Sequence, residues 1–241
     1  MNIPRMNLHC HTNYSDGKHT IRQMVMKAIK LDLDFFAITD HFTDSWKSRI
    51  IPTLNSSEKI ERYLKEIADC QKFLEKNKKN LRLYRGIEID VGSSEQYIKN
   101  LIDPFKFDII LFEYLETLEG LAFIKNLIDY WKRRISSGDF PLIGLAHLDP
   151  SYFIFNGLDR LIQLLKQNNI YFEFNTRYSQ FYSQKNAIFF DRLKQNKIPV
   201  AIGSDAHYSR YLDLIDDPLD AIRDYNLQNN LNCLIKLLKK R

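Results

Sequence analysis

Seven short apolar runs punctuate the chain, at residues 6–8, 35–39, 83–89, 107–112, 142–146, 170–174 and 200–202. Each run is continuous rather than alternating. That pattern predicts parallel strands covered on both faces. Between the runs lie longer stretches with helical spacing. Residues 21–31 follow Thr20, and Gln23 is placed to complete a capping box. Residues 57–78 carry Ile60, Leu64, Ile67, Cys70 and Leu74 on one helical face. Further helices are predicted at 95–102, 121–136, 158–167, 184–195, 218–224 and 230–240. Strands alternating with helices predict a parallel α/β barrel, with a doubly wound open sheet as the competitor. No repeat or Pro/Gly/Ser-rich linker divides the chain, so one domain over 1–241 is expected.

Composition fits that picture. The 241 residues are 44% hydrophobic and 27% charged, enough for one sizeable core. The net charge of +5 is spread along the chain. It suits an anionic substrate without requiring nucleic acid. Cys10, Cys70 and Cys233 form no CxxC pair, which favours a reducing compartment. No leader peptide and no 18-residue apolar span is visible, so a cytoplasmic protein that does not enter membranes is expected. Oligomeric state is not legible.

The histidines add chemistry. Five of the six, His9, His11, His41, His147 and His207, fall at or just after a predicted strand end. His19 precedes the first helix, where a capping or surface role is expected. Glu88, Asp205 and Asp40 are carboxylates at the same kind of position. In parallel barrels the C-terminal strand ends converge on one face, so these groups would meet. Each has a bland alternative taken singly. HxH can be two unrelated histidines, Asp16 in TNYSDG can be a turn residue, and Glu88 can pair with Arg85. Jointly those alternatives require several independent accidents. Oxygen and imidazole donors without a cysteine cluster suit zinc, manganese or iron. Cys10, between two candidate ligands, is expected to point into the core. Arg177 follows the run 170–174 and is a candidate phosphate ligand, able to grip two oxygens. Tyr14, Lys18, Tyr178 and Tyr208 are candidate pocket residues.

HCHTNYSDG, AITDH, GIE, AHLDP and GSDAH together resemble, in order, the motifs of the PHP (polymerase and histidinol phosphatase) superfamily, over residues 9 to 207. The resemblance implies a distorted (β/α)7 barrel, two or three divalent ions and hydrolysis of phosphate esters. It implies that His9, His11, Glu88 and Asp205 hold one ion. Glu88 would bridge to a second, with His147, and Asp16, His41 and His207 would hold a third. One motif departs. Where the family places a histidine after the fourth strand, this chain reads FDIILFEYLE, so Glu113 is a possible replacement ligand.

The expected reaction is attack of a metal-activated hydroxide on a small phosphate monoester, of histidinol phosphate or nucleotide phosphate type. Asp205, His207 and His41 are the candidates for proton transfer. Two readings compete: an amidohydrolase-type enzyme cleaving C–N bonds, and a metal-binding barrel with reduced or lost turnover.

Overall fold

The computed structural model describes residues 3–134 and 139–241. Its strand segments are β1 (Met6–Asn7), β2 (Phe35–Ile38), β3 (His41–Phe42), β4 (Arg82–Asp90), β5 (Ile109–Glu113), β6 (Leu142–Leu145), β7 (Tyr171–Asn175) and β8 (Val200–Gly203). All pairings are parallel, in the order β1-β2-β4-β5-β6-β7-β8, with β3 also on β4. β2 and β3 occupy one strand position. Ile38 lies opposite Arg85 and His41 opposite Glu88, so the register carries straight across the break at Thr39 and Asp40. That leaves seven positions around the sheet. Its two edges approach each other, where the Leu8 N–H donates to the Ile202 carbonyl at 3.0 Å and the His11 N–H to the Ala206 carbonyl at 3.0 Å. The result is a nearly closed α/β barrel of the TIM-like kind, as the strand count predicts.

The helices are α1 (Ile21–Lys30), α2 (Ser57–Lys76), α3 (Glu95–Leu101), α4 (Leu118–Lys132), α5 (Ser151–Ile154), α6 (Leu158–Asn168), α7 (Ala187–Gln195), α8 (Asp216–Asp224) and α9 (Gln228–Leu238). Thr20 caps α1 with the full capping box through Gln23. α4 starts earlier than the apolar spacing predicts, because the Thr117 side chain accepts from the Gly120 N–H and sets the first turn. The predicted continuation to 136 runs into residues outside the described ones. The stretch at 184–195 opens with a 3-10 turn, Gln184–Asn186, before α7. α5 has no counterpart in the predicted elements. Among the described residues, no helix is long and apolar enough to cross a membrane.

The core lies between sheet and helices. Phe172, Phe174, Phe189 and Phe190 pack edge to face and stacked across β7 and α7. Polar residues are buried instead at the C-terminal strand ends: His9, His11, Glu88, Asp90, Glu113, Glu173 and Asn175. Tyr114, His147 and Asp205 adopt positive φ there, at 60°, 36° and 50°. Left-handed backbone at non-glycine residues persists only where surrounding contacts impose it, and it clusters at functional sites.

Candidate metal centre

β1 delivers His9 and His11. The chain stays extended past the strand, with Cys10 bridging to Ala206, so the two imidazoles fall on one side. Cys10 turns away, its thiol donating to the Ala37 carbonyl at 3.3 Å. The loop that follows is tied to Asp40. That buried carboxylate accepts from the Thr12 N–H at 2.8 Å, the Thr12 hydroxyl at 2.6 Å and the Ser15 hydroxyl at 2.6 Å. The turn chemistry of TNYSDG is therefore real, and it also swings Asp16 to the mouth.

The donors converge. His9 Nε2 lies 3.1 Å from His11 Nε2 and 3.1 Å from Glu88 Oε1. His11 Nε2 lies 2.9 Å from Asp205 Oδ1, and His147 Nε2 lies 3.3 Å from Glu88 Oε1. His41 Nδ1 is 2.8 Å from Glu88 Oε2, while its Nε2 turns toward Asp16 Oδ1 at 3.6 Å. His207 Nε2 reaches Asp16 Oδ2 at 2.9 Å. Among the described residues, four sets of donor atoms lie within 4.8 Å of one another: His11, Asp16, His41 and His207; His9, Glu88 and His147; His9, His11 and Asp205; His41, Glu88 and Glu113. All nine metal candidates of the sequence are thus gathered at one mouth. Arg85 is not. It sits three positions from Glu88, hence on the other face of β4, and makes a two-point pair with Asp108 at 2.8 and 3.0 Å.

The donor set fits divalent cations on its own chemistry. Glu173 lies 2.9 and 3.1 Å from His9 Nδ1. A proton on Nδ1 leaves the Nε2 lone pair facing other acceptors. Both Glu88 oxygens and His11 Nδ1 are buried without a well-formed hydrogen bond. Buried carboxylate oxygens in that state call for a cation. The charge balance agrees. Burial disfavours a charged His41, but Glu88 and Glu113 outweigh it and push the imidazole up to about 10. Burial likewise opposes charge on His9, yet Glu173 and Glu88 raise it well above its ordinary value. Burial and the neighbouring His41 lower His11 to about 3. Asp205 and Asp16 stay ionised despite burial, held well below the usual carboxylate range by the imidazoles around them. The mouth gathers positive charge.

Beside it opens a cavity of ≈ 490 Å³ whose lining includes Asp16, Asp205, His207, Lys18, Arg177 and Tyr208. Arg177 Nη1 lies 3.0 Å from Asp205 Oδ2, with its side chain 57% exposed. The other aromatic candidates divide. Tyr178 packs on His147 with ring centroids 4.4 Å apart, whereas Tyr14 leaves the mouth and donates to Glu66 at 2.6 Å. His19 stays outside the cluster, next to Ser209 and Tyr208.

A PHP domain family model matches residues 7–227. The chain belongs to the PHP domain family. This PHP domain is 33% identical over 86 residues to the DNA polymerase/3'-5' exonuclease PolX of Bacillus subtilis, a match covering 35% of this chain and 13% of that protein. The PHP barrel is also similar to the crystal structure of histidinol phosphate phosphatase (HisK) from Lactococcus lactis, complexed with zinc, L-histidinol and phosphate. The TM-score is 0.60 at 17% identity, covering 92% of this chain and 93% of that one. A second neighbour comes from the structures of YwqE from Bacillus subtilis and CpsB from Streptococcus pneumoniae, which are metal-dependent tyrosine phosphatases. There the TM-score is 0.53 at 15% identity, covering 91% and 86%.

Two residues at the PHP mouth escape the sequence reading. Glu173 lies inside the run 170–174 and holds His9 from behind. Its Oε2 also accepts the His147 N–H at 2.8 Å. A carboxylate in the middle of IYFEFN was the available signal. Gly203 makes room for it, since a Cβ there would collide with Glu173 Oε1. Lys47 is the other. It lies in a segment without periodic pattern, and no local signal marks it as buried. The relation of Asp205 to His207 also differs from simple strand alternation. Asp205 has left the extended region, and His207 Nδ1 donates back to the Asp205 carbonyl at 2.8 Å.

Proposed function

We propose that this PHP barrel is a metal-dependent phosphoesterase that hydrolyses a small phosphate monoester, of the histidinol phosphate or nucleotide phosphate type. The carrying observation is the buried convergence of lone-pair donors around Glu88, opening onto a cavity that bears Arg177 and Lys18. His9, His11, Asp205 and Glu88 would hold one ion. Asp16, His41 and His207 would hold another, and Glu88 with His147 a weaker one. Zinc, manganese and iron all suit imidazole and carboxylate donors. Bound divalent ions would supply a water-derived nucleophile at neutral pH and offset charge on the phosphoryl oxygens.

The chain's own groups do the rest. Arg177 and Lys18 bind the phosphoryl oxygens from the open side, the guanidinium through paired N–H donors. Glu173 fixes the His9 ring in one orientation, as carboxylates behind metal-ligating histidines do. His41 and His207 flank Asp16, and in this reading they serve as ligands of the second ion. Asp205 turns Oδ1 to His11 and Oδ2 to Arg177. That second oxygen holds the Arg177 guanidinium at the edge of the cavity. Tyr178 shields His147 from solvent. The single-domain organisation over 1–241 is part of the same proposal.

The test is phosphate release from p-nitrophenyl phosphate and a panel of small monoesters. The chain would be chelated and then reloaded with zinc, manganese or iron. Activity should vanish on chelation and return on reloading. Cleavage of amide or lactone substrates, with no phosphate release under any metal, would move the protein to the amidohydrolase reading. Full metal content without turnover on either panel would favour the non-catalytic one.

A further inference from the structure

Glu113 ends β5 within the cluster, 3.2 Å from His41 Nδ1, and on residue type it could ligate a metal. Its two oxygens are already engaged. Lys47 Nζ donates to Oε1 at 2.8 Å and to Oε2 at 2.7 Å. The same ammonium lies 3.2 Å from His41 Nδ1 and 5.1 Å from the centroid of the Tyr114 ring. Its side chain is only 11% exposed. A buried ammonium needs a partner, and Glu113 is the carboxylate that provides it. The segment carrying Lys47 is held down on both sides. Ser45 caps its 3-10 turn, Trp46–Arg49, and the Leu54 N–H returns to the His41 carbonyl at 2.8 Å.

We propose that the Lys47 ammonium is a built-in cation that takes the place of a divalent ion at Glu113, so that the centre binds two metal ions tightly rather than three. This rests on the metal-dependent reading above. An ion between His41 Nδ1, Glu88 and Glu113 would sit against the ammonium, and like charges at that range repel strongly away from water. The remaining set, Glu88 and His147 with His9, does not include Glu113 and shares Glu88 with the first ion. His9 cannot complete that set, because its one free nitrogen also faces His11 and Asp205. Lys47 thus acts as a positioning residue. It holds Glu113 away from metal and places a fixed positive charge beside Glu88.

Metal counting decides the matter without reference to turnover. The full chain would be chelated, reloaded with manganese or zinc, dialysed and measured by elemental analysis, with titration calorimetry for affinity. The wild type should hold two ions per chain, and Glu113→Gln should hold the same number. Lys47→Arg, which keeps the charge, should match them. Lys47→Met frees Glu113 and should gain a third ion, through a site tightened about tenfold or more, the scale of a change next to a metal ligand. Loss of an ion in Glu113→Gln, three equally tight ions in the wild type, or an unchanged count in folded Lys47→Met would each overturn the proposal. If Lys47→Met does not fold, Glu113→Gln alone decides. A wild type that binds no metal would sink this inference and the phosphoesterase reading together. Two tight ions without phosphate release would sink only the latter.

Discussion

The two sides of the barrel mouth are built on different plans. Toward β1 and β8, Asp16, Asp205 and His207 face an open cavity with Arg177 and Lys18 on its wall. Toward β4 and β5, Glu88 and Glu113 are fully buried; Glu88 meets four imidazoles, and Glu113 meets the chain's own Lys47. On the open side the carboxylates meet imidazoles and a half-exposed guanidinium and leave room for incoming ions, whereas on the other Glu113 is neutralised by a buried ammonium. The difference shows that a strand-end carboxylate becomes a ligand or a counter-ion according to what the next loop brings to it.

The largest expected effect lies on the open side. Asp205→Ala should remove one tight ion and lower phosphate release by roughly 10³-fold, the scale set by losing a group that offsets charge in the transition state. Retained activity in a metal-replete Asp205→Ala protein would erase the distinction between the two sides. Next comes Glu173→Gln, behind His9. It should weaken metal binding by about 10–100-fold while the fold persists, as for other groups that orient metal-bound histidines. Titration of that variant against wild type measures it. An unchanged affinity would make Glu173 a packing residue only.

Arg177→Ala should raise KM for phosphate monoesters by about tenfold with a smaller change in kcat, since an exposed guanidinium contributes modestly. Steady-state kinetics on a small monoester reads this directly, and an unchanged KM would take Arg177 out of the substrate site.

The smallest effect is a pH trend in stability. In the chelated protein His41 is raised from 6.5 to about 10, so the stability it adds is full below pH 6.5 and is lost as pH rises through 10. Asp16 and Asp205 are depressed, so theirs is present above the ordinary carboxylate range and lost as pH falls. Metal binding displaces protons and therefore strengthens as pH rises. The gap in Tm between loaded and chelated protein should widen by a few degrees between pH 6.5 and about 9. A gap that narrows over that range would contradict the placement of the imidazoles.

Much of this was legible in the chain. The apolar runs located every strand position, although the second is broken between Ile38 and His41 and the first is shorter than its run. Strand ends then located the metal candidates, because in a parallel barrel position along the strand also fixes position in space. Helix starts were less legible where a side-chain cap sets them, as Thr117 does for α4. Glu173 was hidden by its apolar neighbours. The suggested Glu88–Arg85 pair fails on parity, because the two lie three positions apart in β4 and Arg85 pairs with Asp108 instead.

By itself the sequence determined the strand positions, the imidazoles and carboxylates at the strand ends, and the family that their motifs resemble. These are local properties, repeated at each strand and readable one run at a time. Only the tertiary structure decided which carboxylates face open space and which are already paired. Lys47 meets Glu113 across 66 positions, and Glu173 meets His9 across 164. No periodic pattern encodes such pairs, because they depend on how one loop folds back over the mouth and on how the first and last strands close. The charge of a buried group is settled by its nearest partner, and that partner is chosen by the fold.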